Sequence, residues 1–143
     1  MLKRLLLTAL AVTFSALVGY AADQSVVRIT IPVEKTSPAS GKQMYASYCA
    51  PCHGVDGKGH GPVATALRSV PTNLTGLSRG NHGSFPDTHI AAVLEFGAAV
   101  PGHGSPEMPL WGPILSKMNL SNPSDKQLRI RNLSNYIQSM QER

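Results

Sequence analysis

The stretch YCAPCHGVDGKGHGP, Tyr48–Pro62, holds both cysteines of the chain, Cys49 and Cys52, with His53 directly after the second. Ser40 with Gln43 upstream forms a capping box, which predicts a helix starting at Ser40. Gly54, Gly57, Gly59, Gly61 and Pro62 follow in quick order and predict its end near Cys52. Positions three apart share a helix face. Two thiols and an imidazole therefore emerge together from one helical turn.

Four chemistries compete for that arrangement. A disulfide over two intervening residues closes a very small loop and adds little stability. A thioredoxin-like redox motif needs a strand leading in and a helix carrying on. Here a helix leads in and a glycine-rich loop follows. Zinc needs a fourth ligand and a closed shell, and the sequence has no second Cys or Cys/His cluster. The remaining reading is covalent haem, for which C-x-x-C-H is the attachment signature. Two thiols on one turn suit the two vinyl groups on one porphyrin edge, and the adjacent imidazole suits the iron. The sequence thus predicts one haem c.

Outward from this motif, Met1–Arg4 is a short positive start, Leu5–Val18 is uncharged, and Gly19–Ala22 supplies small residues. That layout predicts a signal peptide over 1–22 and export, to the periplasm, where haem attachment of this kind takes place. The apolar run is short for a membrane span of about 20 residues, so an uncleaved anchor is the lesser alternative. No cysteine stands at the cut to take a lipid. Cleavage removes Lys3 and Arg4 and none of the eight acids, lowering the formal net charge from +5 to +3. That mild charge, without a dense Lys/Arg run, argues against a nucleic-acid partner and suits docking to acidic proteins. Three Phe, four Tyr and one Trp leave a thin core, which a bulky apolar group would fill.

Residues 23–39 read as an extended leader or tether, with one alternating piece at Arg28–Ile31. Residues 40–143 form the domain. Val63–Arg68 allows a short helical turn, and SVPTNLTGLSRGNHGSFP (69–86) is loop by composition. Asp87 reads as a helix cap, and Ile90, Val93, Leu94 and Gly97 make one helical stripe. GAAVPGHGSPEMPLWGP (97–113) again reads as loop. Ser124 with Gln127 forms a second capping box before a helix striped by Ile130, Leu133, Ile137 and Met140. The expected architecture is all-α, with three main helices and long Gly/Pro loops, a length that is acceptable where loops wrap a large ligand.

From Ser40 to Gln141 the chain resembles class I cytochromes c, small exported bacterial monohaem proteins. Gly41, Tyr45, the haem motif, the glycines and Pro62 stand in that family's order. EMPLWGP (107–113) resembles its methionine loop, and LSNYIQSM (133–140) its closing helix. The resemblance implies thioethers at Cys49 and Cys52, and axial ligands His53 and Met108. It implies that the Pro62 carbonyl accepts a hydrogen bond from the other His53 nitrogen, fixing its tautomer. It also implies that Gly41 and Tyr45 pack against Leu133 and Tyr136. The function implied is one-electron transfer between redox proteins, with no enzymatic turnover and no small-molecule substrate.

Met118 is the rival to Met108, while Met44 and Met140 read as packing residues on helices. Met108 is favoured by Pro109 and by its flexible loop. His103, in that loop, reads as a surface histidine, as do His60, His82 and His89. Trp111 is a candidate for the haem edge, its N–H on a propionate, against a plain core aromatic with a polar tip. Thr72 and Asn73 are further propionate candidates. Lys58, Arg68, Arg79 and Lys117 are scattered cations able to orient an acidic partner. Two alternatives stay open. One is an electron-transfer subunit of a larger oxidoreductase or respiratory complex. The other is a five-coordinate haem protein that binds a small gas or peroxide.

Overall fold

A computed structural model describes residues 34–97, 107–119 and 122–142. The expected signal peptide, most of the leader, and His103 lie outside these residues. Among them the chain is all helical. Helix α1 is Gly41–Tyr48 and α2 is Ala50–His53. Helix α3 is Leu77–Gly80, α4 is Asp87–Phe96, α5 is Trp111–Met118 and α6 is Ser124–Ser139. Short 3-10 turns occupy Ala64–Ala66 and Leu74–Gly76.

The first helix starts as its sequence dictates: Ser40 Oγ accepts from Gln43 N–H at 3.1 Å. The reciprocal arm differs, because Gln43 Oε1 reaches back to Ser37 N–H at 3.2 Å rather than to Ser40. The helix also breaks at Cys49 instead of running on to Cys52. Pro51 has no N–H, and in a continuous helix its ring would meet the carbonyl four residues earlier. The chain restarts one residue before it, with Pro51 in the first turn of α2.

The second predicted capping box does not form. Pro123 precedes α6, Ser124 is its first residue, and Gln127 Nε2 turns across to Glu95. Asn122 Oδ1 takes the Ser124 N–H instead, at 3.1 Å. Asp87 likewise sits in the first turn of α4 after Pro86, its carboxylate accepting from Ser134 Oγ.

Helix α6 packs against α1, α4 and α5. Its buried stripe is Ile130, Leu133 and Ile137, as the 3.6-residue period predicts. Where α1 crosses α6, a Cβ on Gly41 would lie 2.0 Å from the Asn132 carbonyl oxygen. Only glycine allows that approach. Tyr45 and Tyr136 meet beside it with ring centroids 5.2 Å apart.

Two helices occur where composition reads as loop. Helix α5 opens Trp-Gly-Pro, and Pro113 is harmless there because first-turn N–H groups have no intrahelical partner. Gly112 is required by contact: a Cβ would come within 2.1 Å of the Glu95 carbonyl oxygen. The short α3 interrupts the 69–86 stretch in the same way.

Residues 34–39 are bound to the domain. Asn132 Nδ2 donates to the Pro38 carbonyl at 2.8 Å. Arg129, paired with Asp125 at 2.6 Å and buried, also reaches Thr36 Oγ1 at 3.2 Å. Tyr48 Oη donates to the Glu34 carbonyl, so Thr36 must donate its hydroxyl proton to Tyr48, at 2.7 Å.

Candidate functional site

Cys49 immediately precedes the short α2, Cys52 lies on it, and His53 ends it. The His53 and Cys52 amides both donate to the Cys49 carbonyl, at 2.8 and 3.1 Å. This turn fixes the two sulfurs and the imidazole on one side. Gly54 then leaves the helix at φ +81°, a conformation that favours glycine, and its carbonyl accepts Tyr45 Oη–H at 2.7 Å.

The chain folds back along the motif. Gly61 N–H donates to the Cys52 carbonyl and Val63 N–H to the Pro51 carbonyl, at 3.0 and 2.9 Å. Leu74 N–H donates to the Gly57 carbonyl at 2.7 Å. A Cβ on Gly59 would lie 2.2 Å from the Pro71 carbonyl oxygen, and Gly59 has φ +90°. These constraints draw residues 70–74 alongside the motif.

They also change the expected partner of the imidazole. His53 Nδ1 lies 3.0 Å from the Thr72 carbonyl oxygen, not from that of Pro62. Pro62 is exposed, held with residues 61–63 against the carbonyls of Pro51 and Cys52. Thr72 is carried past the ring by the Leu74–Gly57 bond. A carbonyl only accepts, so Nδ1 carries the proton and Nε2 keeps its lone pair. Burial lowers the His53 pKa and so favours the neutral ring, while the Thr72 bond pulls the other way.

A cavity of about 390 Å³ opens beside α2. Cys49, Cys52 and His53 form one wall, and Leu67 with Ser69 to Thr72 another. Glu107, Met108, Pro109 and Trp111 form a third, with Ile90, Val93, Leu94 and Ile137 behind. Met108 is the methionine that lines it. Met118 lies elsewhere, its sulfur 3.5 Å from Tyr48 Oη. Met44 is fully buried with its sulfur 3.8 Å from an Arg129 nitrogen, and Met140 packs near Gly57. Trp111 is buried and stacks on Tyr48, centroids 5.3 Å apart and planes 27° apart.

Burial pushes the Cys49 thiol up to about 12, with the neighbouring Cys52 adding to the shift. Cys52 is raised for the same first reason. A redox cysteine pair needs a lowered thiol pKa, so this environment opposes that use. Among the described residues no group of three or more His, Cys, Asp or Glu side chains is placed to hold a metal ion. The site offers two neutral thiols, one neutral imidazole and one thioether around an apolar hollow.

Other predicted residues take local roles. Asn73 Oδ1 accepts from Thr75 N–H and Oγ1–H, closing the 3-10 turn. Lys58 pairs with Glu142 at 3.0 Å, and Arg79 lies 3.9 Å from the same carboxylate. Sequence reasoning missed Glu107 and gave Thr72 a different role, as a propionate candidate. Thr72 binds His53 through its backbone, which no side-chain pattern reports. Glu107 Oε1 and Oε2 accept the Arg68 N–H at 2.9 and 3.1 Å, and only its position before Met108 hinted at a role.

The family model described as Cytochrome c matches residues 38–141. No curated protein and no solved structure gives a significant match.

Proposed function

The chain belongs to the cytochrome c family, whose domain carries covalent haem c and transfers electrons; from that premise we propose a one-electron carrier with His53 and Met108 as axial ligands. One observation carries the ligand assignment. Cys49, Cys52, His53 and Met108 line a single cavity although Met108 is remote in sequence.

The residues fit the group. Two thiols leave one helical turn, the hollow between the loops is largely apolar, and the nitrogen of His53 that is not bonded to Thr72 is unprotonated. When bound, haem c supplies one reversible electron at its iron. The chain's own part is placement. The Thr72 carbonyl holds the Nδ1 proton of His53, which fixes the ring and makes Nε2 a better donor. Met108 offers a soft thioether, a ligand type that favours the reduced form. Ile90, Val93, Leu94 and Ile137 keep water from the rear of the cavity. Trp111 lines the cavity, and a propionate is the proposed acceptor of its N–H. With His53 and Met108 both supplied by the chain as iron ligands, little of the protein would need to move on electron transfer.

Redox proteins are the partners that family membership implies, and the scattered cations Lys58, Arg68, Arg79 and Lys117 favour acidic docking faces. The Lys3-Arg4 start and the apolar run after it favour export to the periplasm. Free carrier and complex subunit use the same site, and co-purification separates them.

The test is Met108→Ala. Haem stays attached, the oxidised protein loses the far-red charge-transfer band of thioether ligation, and the reduction potential falls by on the order of 0.1 V. Carbon monoxide then binds the reduced variant readily. An unchanged band with an unchanged potential overturns the assignment. Ready carbon monoxide binding by the unaltered protein would favour the five-coordinate alternative instead.

A further inference from the structure

The loop Arg68–Thr72 touches both flanks of the site. Its Thr72 carbonyl accepts the His53 Nδ1 proton at 3.0 Å. Its Arg68 N–H forks between the two carboxylate oxygens of Glu107, at 2.9 and 3.1 Å, and Ser69 Oγ lies 3.5 Å from Glu107 Oε2. Glu107 immediately precedes Met108. Pro109, immediately after it, has no N–H with which to anchor the segment. Leu110, which precedes α5, makes no side-chain cap bond. A charge-assisted bond from a carboxylate to a backbone amide is among the stronger hydrogen bonds. This one spans 39 residues of sequence and ties Glu107, in the lining, to a residue whose neighbours Leu67 and Ser69 also line the cavity.

We propose that Glu107 is a positioning residue that latches Met108 to the Arg68–Thr72 loop, so that one loop orients both axial side chains. The proposal rests on the reading of Met108 as an axial ligand. The loop sets the His53 ring directly, through a carbonyl. It sets Met108 indirectly, through its neighbour. The latch acts on the bound state of Met108 rather than on global folding. Loosening it should make the thioether easier to displace.

The experiment titrates oxidised holoprotein with imidazole and follows displacement of Met108 in the visible spectrum. Glu107→Ala removes the acceptor, and Arg68→Pro removes the donor. Leu67 sits at φ −87°, ψ 151°, the extended conformation that a following proline requires. Each variant is expected to bind imidazole about fivefold more tightly than the parent. Glu107→Gln keeps one acceptor oxygen and falls between. Arg68→Ala keeps the N–H and matches the parent. The Glu107→Ala, Arg68→Pro double variant gains no more than either single change. Parental imidazole affinity in both single variants overturns the latch, even if their melting temperatures fall, since a merely structural contact would behave that way. Arg68→Ala behaving like Arg68→Pro also overturns it. If Arg68→Pro fails to fold, Glu107→Ala against Glu107→Gln decides. Met108→Ala keeps the two readings apart. If it retains the far-red band, the axial assignment fails; if it loses the band while Glu107→Ala binds imidazole as the parent does, only the latch fails.

Discussion

The crossing of α1 with α6 and the cavity beside α2 are built on different principles. At the crossing, Met44, Tyr45 and Leu133 are almost wholly buried, and Gly41 lets two backbones touch. Arg129 and Asp125 form a buried ion pair there. At the cavity, Val70 is 73 % exposed and Leu110 54 % exposed, and the loop carrying Val70 is held by hydrogen bonds to Glu107 and His53 rather than by apolar packing of its own. The crossing is finished by the polypeptide alone. The cavity is finished only by a large apolar group held by its cysteines.

The sharpest way to break this contrast is Cys49→Ala with Cys52→Ala. Without covalent haem the cavity face has nothing to pack on, and the chain should lose cooperative melting by circular dichroism. A melt close to that of the holoprotein would show that the crossing alone sustains the fold. Next in size is Arg129→Met, which leaves Asp125 buried without its partner. It should cost about 3–5 kcal/mol in denaturant unfolding of the holoprotein. Adding Asp125→Leu should recover most of that, because an apolar pair of similar volume is close to neutral. Failure to recover would mean that the bonds from Arg129 to Thr36, not the charge balance, dominate.

Gly41→Ala is expected to cost about 2 kcal/mol, because the new methyl meets backbone at Asn132 rather than a yielding side chain. A neutral effect would show that the crossing is looser than its contacts indicate. The smallest effect belongs to the surface seam. Lys58 holds the Glu142 carboxyl below its ordinary value, chiefly through a hydrogen bond. The stability it lends is present above the carboxylate's unfolded pKa and is lost as pH falls through the lowered folded value. Both partners are solvent-exposed, so Glu142→Gln should shift the melting temperature by roughly 2 °C at most, and less in high salt.

What the sequence revealed follows the same division. The helix start at Ser40, the turn carrying both thiols, and the stripe of Ile130, Leu133 and Ile137 are set by neighbours within one or two turns. The approach of Gly41 to α6 was legible through the family resemblance, and the contact explains it, since only glycine leaves room there. Contacts made across the chain were not. His53 takes Thr72 because of backbone bonds around Gly57 and Gly59, which leave no mark on residue type. Glycine and proline hid α5, since Pro113 breaks helices elsewhere but is tolerated in a first turn. Ser124 and Gln127 matched a capping pattern, yet Asn122 and Glu95 offered better partners in space.

The central claim is that a tetrapyrrole, bonded through Cys49 and Cys52, completes this molecule. Intact-mass measurement under denaturing conditions, on protein produced with haem-attachment machinery, tests it most directly. The account predicts a mass equal to the polypeptide plus one haem, unchanged by acid extraction that strips non-covalent haem. A bare polypeptide mass would contradict it.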